Sequence, residues 1–125
     1  MARVLVVEDD PISAKMIRDF LSAHGHPTVV ATTGPEGVSS FVREEPDLMI
    51  VDVALPKKNG FEVCFEVKRT ERGQRTPLLL MSAVYRDSDH AARYAQDDLR
   101  AQGYLVKPFD LRDLLARVEE LVPAA

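Results

Sequence analysis

Five short apolar runs, at residues 4–7, 29–31, 48–51, 78–81 and 104–106, constrain this 125-residue chain more than any other feature. They are rich in Val, Leu and Ile, and four of them end abruptly at Glu8, Asp52, Ser82 and Lys107. A short apolar run without alternation is the pattern of a strand covered on both faces, and such strands belong to parallel sheets wrapped by helices.

The intervening segments supply those helices. Asp10-Pro11 is a helix start, with Asp10 as N-cap and Pro11 at the first helical position, where its missing N–H costs nothing. Ile12, Met16, Ile17, Phe20 and Leu21 then form one apolar stripe, and Gly25 is a left-handed stop. Thr33 and Gly34-Pro35 open a second helix, with Val38, Phe41 and Val42 on one side, which stops before Pro46. Asn59-Gly60 leads into a third, with Phe61, Cys64, Phe65 and Val67 at helical spacing. A polar helical segment begins at about Asp87, and Asp110 caps a last helix striped by Leu111, Leu114, Leu115, Val118 and Val122. Strand then helix, repeated, predicts a single doubly wound α/β domain over residues 1–125, with a parallel sheet between two helical layers.

Composition narrows the function. At 46% hydrophobic and 29% charged the chain is neither disordered nor fibrous, and it is long enough to bury a core without staples. Cys64 is its one cysteine, so no internal disulfide forms; it reads as core packing. The net charge is −4, with no basic run and no Trp, which argues against direct nucleic-acid binding. No apolar stretch is long enough to span a bilayer, and neither end carries a secretory or lipidation signal. The expectation is a cytoplasmic protein away from membranes. His24, His26 and His90 read as surface residues.

In an open parallel sheet, sites gather beyond the carboxyl ends of the strands, where Glu8, Asp9, Asp52, Ser82 and Lys107 all fall. Three converging carboxylates repel one another unless a cation neutralises them, and an all-oxygen cluster suits a hard divalent metal such as Mg²⁺. Lys107 and Ser82 are suited to holding the oxygens of a phosphoryl group. Asp52 stands alone at its strand end, which makes it the better nucleophile, and the Glu8-Asp9 pair the better metal holders. Asp10 reads as a helix cap rather than a ligand.

These residues resemble the receiver domain of two-component response regulators over essentially the whole chain. The likeness is carried by Val6-Val7-Glu8-Asp9-Asp10, by Asp47-Leu48-Met49-Ile50-Val51-Asp52 with Leu55-Pro56 and Gly60, by Met81-Ser82-Ala83, and by Tyr104-Leu105-Val106-Lys107-Pro108-Phe109. It implies a (βα)5 fold with the flavodoxin-like strand order 2-1-3-4-5. It implies that Asp52 accepts a phosphoryl group from a histidine kinase or phosphotransfer protein, aided by Lys107 and Ser82. Mg²⁺ or Mn²⁺ would be held by Asp9, Asp52 and the backbone carbonyl of Ala54, with Glu8 acting through water. A cis peptide between Lys107 and Pro108 is implied as well. Ser82 and Tyr104 would form the switch that alters the face of the fourth predicted helix, fifth strand and fifth helix for a downstream protein or output domain. The likeness also admits a homodimer through that face. Tyr104 by itself reads equally as a core aromatic.

Two other readings compete. A haloacid-dehalogenase-like phosphatase also uses an aspartyl nucleophile with Mg²⁺, but Glu8-Asp9-Asp10 fits its first-strand pattern poorly. A receiver-like interaction module independent of phosphorylation is the other. The chain departs from the family between Ser82 and Tyr104, where it is about three residues longer and has Arg100 in place of the usual glycine. That predicts a fourth helix running on toward Gln102, or an extended loop over 84–88. Ala54 and Val84 are apolar where the family often has polar residues that influence phosphoryl loss, which predicts slow dephosphorylation. Ala92, Ala95 and Leu99 form a weak inner face, so the fourth predicted helix should show the fastest amide exchange of the five. Full protection there contradicts this expectation.

Overall fold

The computed structural model describes residues 2–83 and 100–122. Strands β1 (Val4–Val7), β3 (Leu48–Asp52) and β4 (Leu78–Ser82) form the centre of a parallel sheet and are buried along their whole length. Strands β2 (Thr28–Ala31) and β5 (Gly103–Val106) are its half-buried edges. The order is β2-β1-β3-β4-β5, as the family resemblance implies. Register sets Val7 beside Val51 and Ser82 beside Val106, so Glu8, Asp52, Ser82 and Lys107 reach the same carboxyl edge.

Helices α1 (Pro11–Ala23) and α5 (Leu111–Leu121) cover one face, where Ile17, Leu21, Leu114 and Val118 pack on Val4, Val6, Ile50 and Leu79. Helices α2 (Gly34–Glu44) and α3 (Gly60–Lys68) cover the other, where Phe41, Val63, Cys64 and Val67 meet Leu5, Val7, Met49 and Leu80. Successive strand residues thus feed opposite layers, which is why both faces of each run had to be apolar. The helix starts are fixed by side chains. Asp10 accepts the Ile12 amide at 3.2 Å and Asp110 the Arg112 amide at 2.8 Å, while Asn59 and Glu62 form a reciprocal capping box. Gly25 stops α1 at φ +88°, in the left-handed region.

Several expectations are corrected. In α1 the inward positions are Ala14, Ile17 and Leu21, leaving Ile12 71% and Met16 53% exposed. In α2 the helix turns its small residues inward: a Cβ on Gly37 would come within 2.9 Å of Val7, and this close approach rotates Val42 into solvent. Phe65 is also exposed, lying beneath the Arg69 guanidinium at 5.5 Å from the ring centre. His26 is buried rather than at the surface: its Nδ1 accepts the Ala2 amide at 3.3 Å and its Nε2 lies 3.6 Å from a Glu119 oxygen. A short helix that the sequence reading did not assign, α4 (Glu71–Arg75), is capped by Thr70.

Arg100 overturns the extended fourth helix. It sits at φ +61° and, with Ala101, is not helical, so no helix runs through to Gln102. Arg100 adopts the conformation for which glycine is usual. The helical segment from about Asp87, the 84–88 loop, Val84, His90, Ala92, Ala95 and Leu99 lie outside the described residues.

Gly60, at the start of α3, touches the strand that carries Asp52. A Cβ there would stand 2.3 Å from the Asp52 carbonyl oxygen and 2.7 Å from the Val53 Cα, both unyielding backbone atoms. Gly60→Ala should therefore cost about 1–3 kcal/mol in urea denaturation, as overpacking does, and shift the Ala54 amide resonance. An unchanged midpoint would show that the β3–α3 turn yields freely.

Candidate functional site

Glu8 and Asp9 follow β1, Asp52 ends β3, Ser82 ends β4 and Lys107 follows β5. The Lys107 ammonium donates to Glu8 Oε1 at 2.7 Å and to Asp52 Oδ2 at 2.8 Å, joining the carboxyl ends of three strands. Its backbone N–H donates to Ser82 O at 2.9 Å, and the peptide to Pro108 is cis, as expected. Asp52 is almost fully buried, and its Oδ1 accepts the Ala54 amide at 3.0 Å. The turn holding Ala54 is closed by the Gly60 and Leu55 amides, which both donate to Val53 O.

Glu8 is completely buried, and no hydrogen-bond partner reaches its Oε2. Burial first, then the neighbouring Asp52 carboxylate, push its carboxyl up to about 7, against the lowering pull of Lys107. Burial disfavours the Lys107 charge, yet the two carboxylates hold its ammonium above the ordinary lysine value. Asp9 is exposed, and one oxygen from each of Glu8, Asp9 and Asp52 lies within 4.8 Å of the others. One ammonium cannot balance three carboxylates at that spacing. The excess negative charge, the all-oxygen donor set and the orphaned Glu8 oxygen fit a hard divalent cation.

Other expected residues fall as follows. Asp10 caps α1, with Ser13 Oγ donating to its carboxylate at 2.8 Å. Ser82 is fully buried at the end of β4, and Tyr104 is half-buried against the layer of α2 and α3. Cys64 is buried in that same layer, and burial pushes its thiol up to about 11, which suits packing rather than reactivity. Unforeseen in the sequence is a groove of about 410 Å³ beside the acids, lined by Met16, Ile17, Ala83, Pro108, Phe109 and Leu111. Only three-dimensional placement brings the start of α1 against the turn after β5.

A profile of the family described as response regulator receiver domain matches residues 4–119. The chain belongs to this family. It is 38% identical over 120 residues to response regulator MprA of Mycobacterium leprae, covering 96% of this chain and 50% of that protein. The receiver domain spans about half the length of the curated relatives it matches. Chemotaxis response regulator CheY4 of Vibrio cholerae superposes with a TM-score of 0.89 at 28% identity, covering 98% of this chain and 99% of that one. The receiver domain of sensor histidine kinase PA1611 from Pseudomonas aeruginosa, with a magnesium ion coordinated in its active-site cleft, gives 0.84 at 25% identity, each chain covered to 96%. The chain is thus a phosphoaccepting switch of two-component signalling, a family that works with histidine kinases and output domains. Among the described residues no helix is long and apolar enough to cross a membrane.

The raised Glu8 carboxyl sets a pH dependence for the metal-free protein. Between about pH 4.5 and about 7 folded Glu8 keeps a proton that the unfolded chain has lost. Its contribution to stability is therefore fully present below about 4.5 and is lost as pH rises through about 7. Urea denaturation across this range should show that decline in the wild type and a flatter profile in Glu8→Gln. An identical profile in the variant would assign the dependence elsewhere.

Proposed function

We infer that Asp52 is the phosphoacceptor, that Lys107 and Ser82 assist it, and that Asp9, Asp52 and the Ala54 carbonyl hold Mg²⁺ or Mn²⁺, with Glu8 acting through water. The observation that carries this reading is the Lys107 ammonium, held 2.8 Å from one Asp52 oxygen while the Ala54 amide holds the other at 3.0 Å. A carboxylate fixed in this way presents its lone pairs in one direction, which suits in-line attack on phosphorus. Asp52 Oδ bonds to phosphorus, the bond from phosphorus to the donor breaks, and the leaving group keeps the electron pair, giving an acyl phosphate. Lys107 stays within reach of the incoming phosphoryl oxygens, and the Ser82 hydroxyl offers a further donor from β4. A bound divalent cation supplies charge neutralisation between donor and acceptor oxygens. The chain would thus catalyse only its own phosphorylation and dephosphorylation.

The donor is a histidine kinase or phosphotransfer protein. Half-exposed Met16 on α1 lines the groove beside the acids, an apolar landing place for a protein rather than a small solute, and exposed Ile12 lies one turn earlier on the same helix. Transfer then alters the face of β5 and α5 read by a downstream protein or output domain, with Ser82 and Tyr104 as the moving parts. A module indifferent to phosphorylation would have no use for the buried acid, its orphaned oxygen and the bridging ammonium together.

Intact mass after incubation with acetyl phosphate tests this directly. The wild type should gain one phosphoryl group with Mg²⁺, none without it, and none in Asp52→Asn. A folded wild type that gains nothing, even from a phosphorylated histidine donor, would favour the phosphorylation-independent module. Ala54 cannot align a water molecule, so Ala54→Asn should change the rate of phosphoryl loss from a slow wild-type value. An unchanged rate would remove Ala54 from that role.

A further inference from the structure

Lys68 ends α3 and is buried at the edge of the sheet opposite the acidic site. Its ammonium donates to Gly73 O at 3.0 Å, to Thr76 O at 2.5 Å and to Gln102 Oε1 at 3.0 Å. All three acceptors are neutral carbonyl oxygens, and burial holds the ammonium below the ordinary lysine value. Gln102 in turn closes the head of β4: its N–H donates to Leu78 O at 2.9 Å, and its Oε1 accepts the Leu78 N–H at 2.8 Å. Its Nε2 donates to Arg100 O at 3.0 Å, fixing the left-handed residue two positions before it. One buried charge and one amide side chain therefore tie α3, α4 and β4 to the chain entering β5.

The next residue is Gly103, opposite Leu79. A Cβ at Gly103 would stand 2.5 Å from an Arg117 guanidinium nitrogen and 2.7 Å from Leu79 Cδ1, side-chain ends that a slipped neighbour would have to push aside. The clasp specifies the register of an edge strand whose one sheet neighbour among the described residues is β4. A parallel strand keeps its two faces only by slipping two residues, which would carry Lys107 about 6.6 Å along the strand. That is more than twice its 2.8 Å hydrogen bond to Asp52.

We propose that Lys68 and Gln102 are positioning residues for Lys107: their clasp at the head of β5 sets the register that delivers its ammonium to Glu8 and Asp52. The kinetic consequence rests on Asp52 being the phosphoacceptor, whereas the placement of Lys107 does not.

The test uses the full chain with ¹³C-labelled lysine. There are five lysines, so the Lys107 Cε–H resonance can be assigned with Lys107→Arg. The variants are Lys68→Met and Gln102→Ala. In Lys68→Met, Gly73 O keeps the Thr76 N–H and Gln102 Oε1 keeps the Leu78 N–H, so of the three acceptors Thr76 O is the one that loses the donor named above. Gln102 is exposed, and its truncation removes the clasp from the other side. In the metal-free variants the Lys107 resonance should move toward that of a solvated lysine. The Gln102 and Lys107 amides should lose protection at least about tenfold relative to β1. With acetyl phosphate and Mg²⁺ the maximal rate should fall at least about tenfold, with the double variant no slower than either single one. An unmoved Lys107 resonance in the folded variants overturns the proposal. So does equal loss of protection in β1 and β5, which would make the clasp merely structural. If the wild type takes no phosphoryl group, the resonance and exchange readouts still decide the clasp, and the failure belongs to the acceptor reading.

Discussion

One ammonium group holds the acidic edge of this sheet together. Without Lys107, Glu8 and Asp52 would face each other across β1 and β3 with nothing between them, one fully and one almost fully removed from water. Two carboxylates in that position cannot both stay ionised without a cation. The bridge makes their burial tolerable, and burial in turn keeps their lone pairs from being dispersed into solvent. Everything else at this edge serves that arrangement: the Val7 and Val51 register brings the two acids abreast, and the Ala54 amide restrains the free oxygen of Asp52.

The strands and the site residues were legible in the sequence because they obey strong rules. A central parallel strand has no solvent face, so β1, β3 and β4 had to be unbroken apolar runs, and the residue ending each run had to emerge at the carboxyl edge. Helix faces were harder to read. In α1 an apolar side chain at Ile12 or Met16 counts the same in a periodic pattern whether it meets the sheet or a partner, and only the packing separates them. In α2 the inward face is made of Gly34, Gly37 and Phe41, and glycines carry no hydrophobic signal at all. His26 and Lys68 were illegible for a related reason. Polar residues read as surface unless their partners are known, and theirs come from the N-terminus and α5 for His26, and from α4 and the segment before β5 for Lys68.

The corrected stop at Arg100 illustrates how a local departure is absorbed. A non-glycine residue at φ +61° carries a cost, yet the Arg100 carbonyl accepts from Gln102 Nε2, and Gln102 is itself held by both polar groups of Leu78. Surrounding hydrogen bonds over-determine the backbone there, so the chain tolerates an arginine where rotational freedom alone would ask for glycine.

The two helical layers differ in how the chain completes them. Helices α2 and α3 are neighbours in sequence, so they can pack on β1 and β3 as soon as α3 has been made. The other layer joins α1 to α5, far apart in sequence, with Ile17 and Leu21 packed in one cluster with Leu114 and Val118. During synthesis the apolar face of β1 and β3 on that side is covered only by α1 until α5 leaves the ribosome. Lys107 arrives only just before it. Nascent chains of this protein therefore expose part of a hydrophobic sheet face and an unbalanced pair of acids at the same time, and both are resolved by one stretch of sequence, from Lys107 through α5.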